Sequence, residues 1–144
     1  METNFDFCAE LANHLIRECK NDCERKCLLK SCADFHYEVN QMDHMPDPYI
    51  GDLEGFISFL EDTLGWVITR SEDGKTILAD ENKPFCVCPI AANTQEAISP
   101  LFCDCSTFYA QKMFARVCGQ EVKASLKRSV LRDGKSCIYE ITLC

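Results

Sequence analysis

No stretch of this sequence stays apolar for the roughly 20 residues that a membrane span needs. The opening segment, Met1 to Phe7, is acidic and polar, with neither the basic start nor the apolar core of an export signal. Secretion and membrane insertion are therefore not expected. Basic charge is also short: 15 Lys and Arg stand against 23 Asp and Glu, and the net charge of -8 repels phosphate backbones and anionic lipid heads. Nucleic-acid and membrane partners are disfavoured, and the expected location is the cytoplasm. Signatures of common catalysis are missing too, since there is no P-loop, no dinucleotide fingerprint, no Gly-X-Ser-X-Gly elbow and no His-Glu-X-X-His. The histidines, His14, His36 and His44, all lie in the N-terminal third, away in sequence from the cysteine pairs that would need a base. No repeat of solenoid length is present.

What the chain does have is core material and thiols. Its 144 residues suit one domain, 1-144, able to bury a core without covalent staples, and an aromatic content of 10% marks it as globular. Twelve cysteines in a reducing cytosol read as packing residues, metal ligands or reactive thiols.

Local patterning divides the domain into a helical part, 1-64, and a mixed part, 65-144. Phe7, Leu11, Leu15 and Cys19, with Cys8 and Ala12 beside them, predict an amphipathic first helix packed through that stripe. Asn21 or Asp22 can cap a second helix through Cys23, Cys27, Leu28 and Cys32, ending between Phe35 and Val39, with Cys19, Cys23 and Cys27 read as a core-facing stripe. Pro46, Pro48 and Gly51 require a loop. Asp52 then caps a helix through Leu53, Phe56, Ile57, Leu60 and Leu64, which Gly65 stops. From Trp66 the period falls to two, and Asp73-Gly74 predicts a hairpin pairing Arg70 with Ile77, Ile68 with Ala79 and Trp66 with Glu81 on its more apolar face. Phe85 to Ile90 reads as a short extended piece that Pro89 confines to an edge or strand end. A helix capped by Ser106 buries Ala110, Met113, Phe114 and Val117 and ends at Gly119. A second hairpin closed by Asp133-Gly134 sets Val130 opposite Cys137, Arg128 opposite Tyr139, Leu126 opposite Ile141 and Ala124 opposite Leu143, with Lys127 meeting Glu140. The fold class is α+β: N-terminal helices, then hairpin, helix and hairpin forming a mainly antiparallel sheet.

Two doublets, Cys86-Val87-Cys88 and Cys103-Asp104-Cys105, carry the main chemical signal. In extended backbone, residues two apart share a face, so Cys86, Cys88, Cys103 and Cys105 could together hold one soft metal ion such as zinc. Buried strand patterning accounts for the same spacing. Cys105, just before a helix start, could be a stabilised thiolate, although Asp104 opposes this. Arg128, expected on the inward sheet face, would need an anionic ligand or an acidic neighbour such as Asp104. Phe102, Tyr109, Met113 and Cys137 complete a candidate pocket between helix and sheet.

Phe102 to Ser106, Gly119 to Lys123, Ser129 to Gly134 and Cys137 resemble the 4-vinyl-reductase-type domain, a small-molecule-binding domain related in fold to a trafficking-complex subunit family. With Cys88-Pro89 the region is also similar to L-2-amino-thiazoline-4-carboxylic acid hydrolase-like proteins. The resemblance covers roughly Trp66 to Leu143. It departs at Asp133-Gly134, where the family has a double glycine, and at Thr107 or Phe108, where it often has glycine. It implies a cysteine-rich pocket, built from Cys86, Cys88, Cys103, Cys105 and Cys137, that takes a small apolar or sulfur-containing ligand or a metal. The expectation is a binding or sensor domain. The alternatives are a hydrolase of a small cyclic amide or thiazoline, with Cys103 or Cys105 as its thiol, and a non-catalytic homodimerisation module.

Overall fold

A computed structural model describes residues 4-39, 44-84, 94 and 97-143. In chain order these form α1 (Asn4–Glu18), α2 (Asp22–Val39), α3 (Leu53–Leu64), β1 (Val67–Arg70), β2 (Thr76–Asp80), α4 (Cys103–Cys118), β3 (Val122–Arg128), α5 (Val130–Asp133) and β4 (Ile138–Leu143). Short 3-10 turns precede α3 and α4, at Asp47–Tyr49 and Pro100–Phe102. The strands make an antiparallel sheet in the order β1-β2-β4-β3, so the fold is α+β as the pattern predicts.

α4 lies at the centre because it is apolar on two sides. Ala110, Met113, Phe114 and Val117 meet Ile77, Ala79, Val122, Tyr139 and Ile141 of the sheet, together with Phe56, Ile57 and Leu60 of α3. Phe102 and Cys105, at its start, meet Ile16 of α1 and Leu29 and Ala33 of α2. Sheet alternation sends the neighbouring residue Leu78 outward.

Local signals hold where turn chemistry decides. Asp52 accepts the Gly55 N–H at 2.9 Å as the α3 cap, Gly65 ends that helix in the left-handed region, and Asn21 accepts the Glu24 N–H at 2.9 Å at the start of α2. The first hairpin has the expected register, Arg70 with Ile77 and Ile68 with Ala79.

Four expectations need correction. In α1, Phe7, Leu11 and Leu15 are exposed, Phe7 by 60%, whereas Ala9 and Ile16 are buried. Polar anchors turn the helix this way: Asn13 Nδ2 donates to the Ala97 carbonyl and its Oδ1 accepts the Ser99 N–H, both at 2.7 Å, and Asp6 accepts the Thr94 hydroxyl at 2.7 Å. In α2, Cys23 and Cys27 face solvent, and the core stripe is Leu29, Ala33 and Tyr37. A step of two residues is about 200° around a helix, so the true stripe lies on the far side from Cys27.

The third correction concerns the start of α4. Ser106 does not cap it: Ser99 caps the 3-10 turn Pro100–Phe102, accepting the Leu101 N–H at 3.2 Å. That turn runs straight into α4 at Phe102 without a side-chain cap, and Cys103 and Cys105 fall inside the helix. The fourth is the second hairpin, which is not a two-residue turn. Ser129 accepts the Arg132 N–H at 3.0 Å and nucleates α5, which Gly134 stops at φ 67°. Leu126 therefore pairs with Tyr139, Ala124 with Ile141 and Val122 with Leu143, two residues from the expected register. A slip of two preserves the faces. Cys137 stays buried, and Lys127 still reaches Glu140, at 3.5 Å. Arg128, beyond a register shift, is exposed rather than inward, and Asp104 instead faces Arg25 at 3.6 Å and Arg132 at 3.9 Å.

Candidate functional site

The second thiol doublet is split by the helix that contains it. Residues two apart on a helix point to nearly opposite sides, so Cys103 and Cys105 cannot present their sulfurs to one point as they would from a strand. Cys105 joins the α1/α2 cluster. Cys103 turns the other way and donates to Ser129 Oγ at 3.5 Å. Cys86 and Cys88 lie outside the described residues. Among the described residues, no group of three or more His, Cys, Asp or Glu side chains is arranged to hold a metal ion.

A different set of polar groups converges at the junction of α4, α5 and the sheet. Ser129 is fully buried, and Val130, next to it, donates its N–H to Cys137 Sγ at 3.5 Å. Cys103 and Cys137 thus contact adjacent residues of the α5 cap. Glu81, only 6% exposed, donates its N–H to the Cys137 carbonyl at 3.0 Å. Its carboxyl is hydrogen-bonded to the Tyr139 hydroxyl, which also contacts Ser106.

Burial sets the protonation of this junction. It pushes the Glu81 carboxyl up to about 7, against the Tyr139 hydrogen bond and the Lys83 charge, which pull it down, while Asp80 adds to the rise. Burial also pushes the Cys137 thiol up to about 11, and the charges of Glu81, Cys103 and Asp80 act in the same direction against the Val130 N–H. The Tyr139 phenol is raised as well, first by burial and then by the Glu81 charge. At neutral pH, Cys137 is therefore a thiol and a weak nucleophile. His36 lies against the Tyr109 ring, with centroids 5.0 Å apart, and His44 contacts Asp47 at 3.4 Å. What the junction can do is hold a proton on Glu81, with Tyr139 and Ser106 as hydrogen-bond partners.

Of the expected pocket residues, Phe102, Met113 and Cys137 are core, and Tyr109 is half-buried against Tyr37 and His36. Arg128 is remote from them on the surface. Sequence reasoning singled out neither Glu81, Ser129 nor Tyr139 as a site residue. A signal existed for two of them, because the hairpin registers already put Glu81 and Tyr139 on inward faces.

A groove opens on the outer side of α4, between α2 and β3. One lobe of about 430 Å³ is lined by Lys30, Asp34, Phe108, Gln111, Lys112 and Val122, among others. A second, of about 460 Å³, continues to Tyr37, Glu38, Arg116 and Gln120 and shares Lys112, Ala115 and Glu121 with the first. Lys112 donates to Asp34 at 3.0 Å and lies 4.9 Å above the Tyr37 ring centre.

The described residues define an α+β protein with a helical layer on one side of α4 and an open antiparallel sheet on the other. No family model and no curated protein matches the sequence. Among solved structures, the chain is similar to trafficking protein particle complex subunit 3 from Naegleria fowleri covalently bound to palmitic acid, with a TM-score of 0.61 and 10% identity over 98% of this chain and 95% of that one. At that identity the likeness shows the fold.

Proposed function

We propose that this chain is a non-catalytic binding domain that takes a small apolar ligand, of the long-chain acyl class, in the reducing cytosol. The observation carrying this reading is the near full-length likeness to a trafficking subunit that holds palmitic acid. Two features of the chain support it. α4 is flanked by two apolar clusters, the architecture in which a helix and a sheet can part to enclose an acyl chain. Burial holds Cys137 as a thiol at neutral pH, so this cysteine serves a lined apolar interior better than it serves nucleophilic chemistry. Partner binding fits the same reading, since Phe7, Leu11 and Leu15 on α1 and Phe35 and Val39 on α2 are exposed apolar residues. No described helix is long and apolar enough to cross a membrane.

Native mass spectrometry of the purified chain, before and after hydroxylamine, together with thermal unfolding in palmitate, tests the proposal. A co-purified acyl species, or a saturable rise in the unfolding midpoint with palmitate, is expected. Steady turnover of thiazoline or cyclic amide substrates, abolished by Cys105→Ala at unchanged stability, would replace the binding reading with the hydrolase.

A further inference from the structure

The groove beside β3 runs along a sheet edge that pairs with no further strand among the described residues, and the hydrogen-bond pattern fixes which backbone groups that edge presents. Leu143 N–H donates to the Lys75 carbonyl at 2.8 Å, and Glu81 N–H donates to the Cys137 carbonyl at 3.0 Å, so odd-numbered β4 residues face β2. Even-numbered β4 residues consequently face β3, where Lys123 pairs with Thr142 and Ser125 with Glu140. Val122, Ala124 and Leu126 must then turn their N–H and C=O groups away from the sheet. Ala124 bears this out, because its N–H donates to Gln111 Oε1 of α4 at 3.0 Å. A side-chain carbonyl occupies the place that a partner strand's carbonyl would take.

Asp34, Glu38 and Glu121 line the groove with Lys30, Lys112, Arg116 and Lys123, but the strand at its edge is itself purely basic. β3 carries Lys123, Lys127 and Arg128 and no acidic residue, on a chain whose net charge is -8. Lys127 reaches Glu140, but Lys123, Arg128 and, across the groove, Lys30 meet no carboxylate among the described residues. A second copy of the chain pairing through β3 would set these lysines against one another, and like charges on facing strands are destabilising. The groove next to the edge presents Phe108 and Ala115, an apolar floor.

We propose that the β3 edge and its groove form a docking site for an extended segment of a partner protein in which acidic and apolar residues alternate. The segment would add a strand to the sheet, its carbonyl replacing Gln111 at the Ala124 N–H, with acidic side chains toward Lys123 and Lys127 and apolar ones over Phe108 and Ala115. The Gln111 contact, the lysines and the register shift after Leu126 guard the edge against indiscriminate pairing, and an acidic strand is the partner they do not repel.

The test uses a fluorescein-labelled peptide of seven residues, the length of β3, alternating Glu and Val with capped ends, added to the full chain. Fluorescence anisotropy should show saturable binding that weakens between about 50 and 200 mM salt. A peptide of the same composition with its glutamates clustered, and the double variant Lys123→Glu, Lys127→Glu, should each weaken binding by roughly tenfold or more. Both lysines are exposed, so the variant's unfolding midpoint serves as a check on its fold. Amide exchange of Ala124 and Leu126 should slow when the alternating peptide binds. Equal binding of the clustered peptide, unchanged binding by the charge-reversed variant, unchanged exchange at Leu126, or self-association through this edge would each overturn the proposal. It stands apart from palmitate binding, which reads out separately.

Discussion

Glu81 is the residue with the most to report about its surroundings. Its carboxyl sits near 7 in the folded chain, whereas an ordinary glutamate lies near 4.5. Between those values the folded chain binds a proton that the unfolded chain has lost. Stability should therefore fall as pH rises from about 4.5 to about 7 and stay low above that, by about 3 kcal/mol for the whole shift. Glu81→Gln removes the charge and keeps hydrogen-bonding capacity toward Tyr139. Urea unfolding should show it more stable than the parent by about 2–3 kcal/mol at pH 8 and nearly equal to it at pH 4. Equal effects at both pH values would mean that burial does not govern this carboxyl. The thiols give a second residue-scale prediction. A maleimide should label the exposed Cys23 and Cys27 quickly and Cys137 slowly in the native protein, because Cys137 is buried and its thiolate is scarce. Fast labelling of Cys137 would mean that the α5 cap opens.

Among elements, caps decide more than propensity. Asp52→Ala leaves the Gly55 N–H to water and should cost about 1 kcal/mol in chemical denaturation. Ser129→Ala should cost more, about 2 kcal/mol, because the same buried hydroxyl caps α5 and accepts the Cys103 thiol. Similar losses from the two variants would place Ser129 in a wetter site than its burial indicates. The cap at Asp52, the glycine stop at Gly65 and the first hairpin were legible because each depends on a few neighbouring residues. The second hairpin was not: Asp133-Gly134 looks like a tight turn, yet Ser129 four residues before Asp133 offers a cap, and one helical turn replaced two strand residues. α1 was legible as a helix but not in its facing. Its leucine stripe was outweighed by two polar anchors whose partners lie more than 80 residues away.

At the scale of the molecule, α4 ties the parts together, since Tyr109 packs against both apolar clusters that the helix separates. A single cooperative transition is the expected outcome, with Trp66 fluorescence and far-ultraviolet circular dichroism giving coincident urea curves. A separate early transition in the helical signal would show that α1 and α2 unfold on their own. The sequence by itself determined the α+β class, the order of helices and hairpins, the first hairpin's register and the inward position of Cys137, because periodicity and turn chemistry act over a few residues. Only the tertiary structure decided that Cys103 and Cys105 part company, that Arg128 faces water, and that Glu81, Tyr139, Ser106, Ser129 and the two thiols Cys103 and Cys137 share one buried junction. A residue's direction on a helix or strand depends on where that element starts, and its neighbours across the core come from segments far apart in the chain.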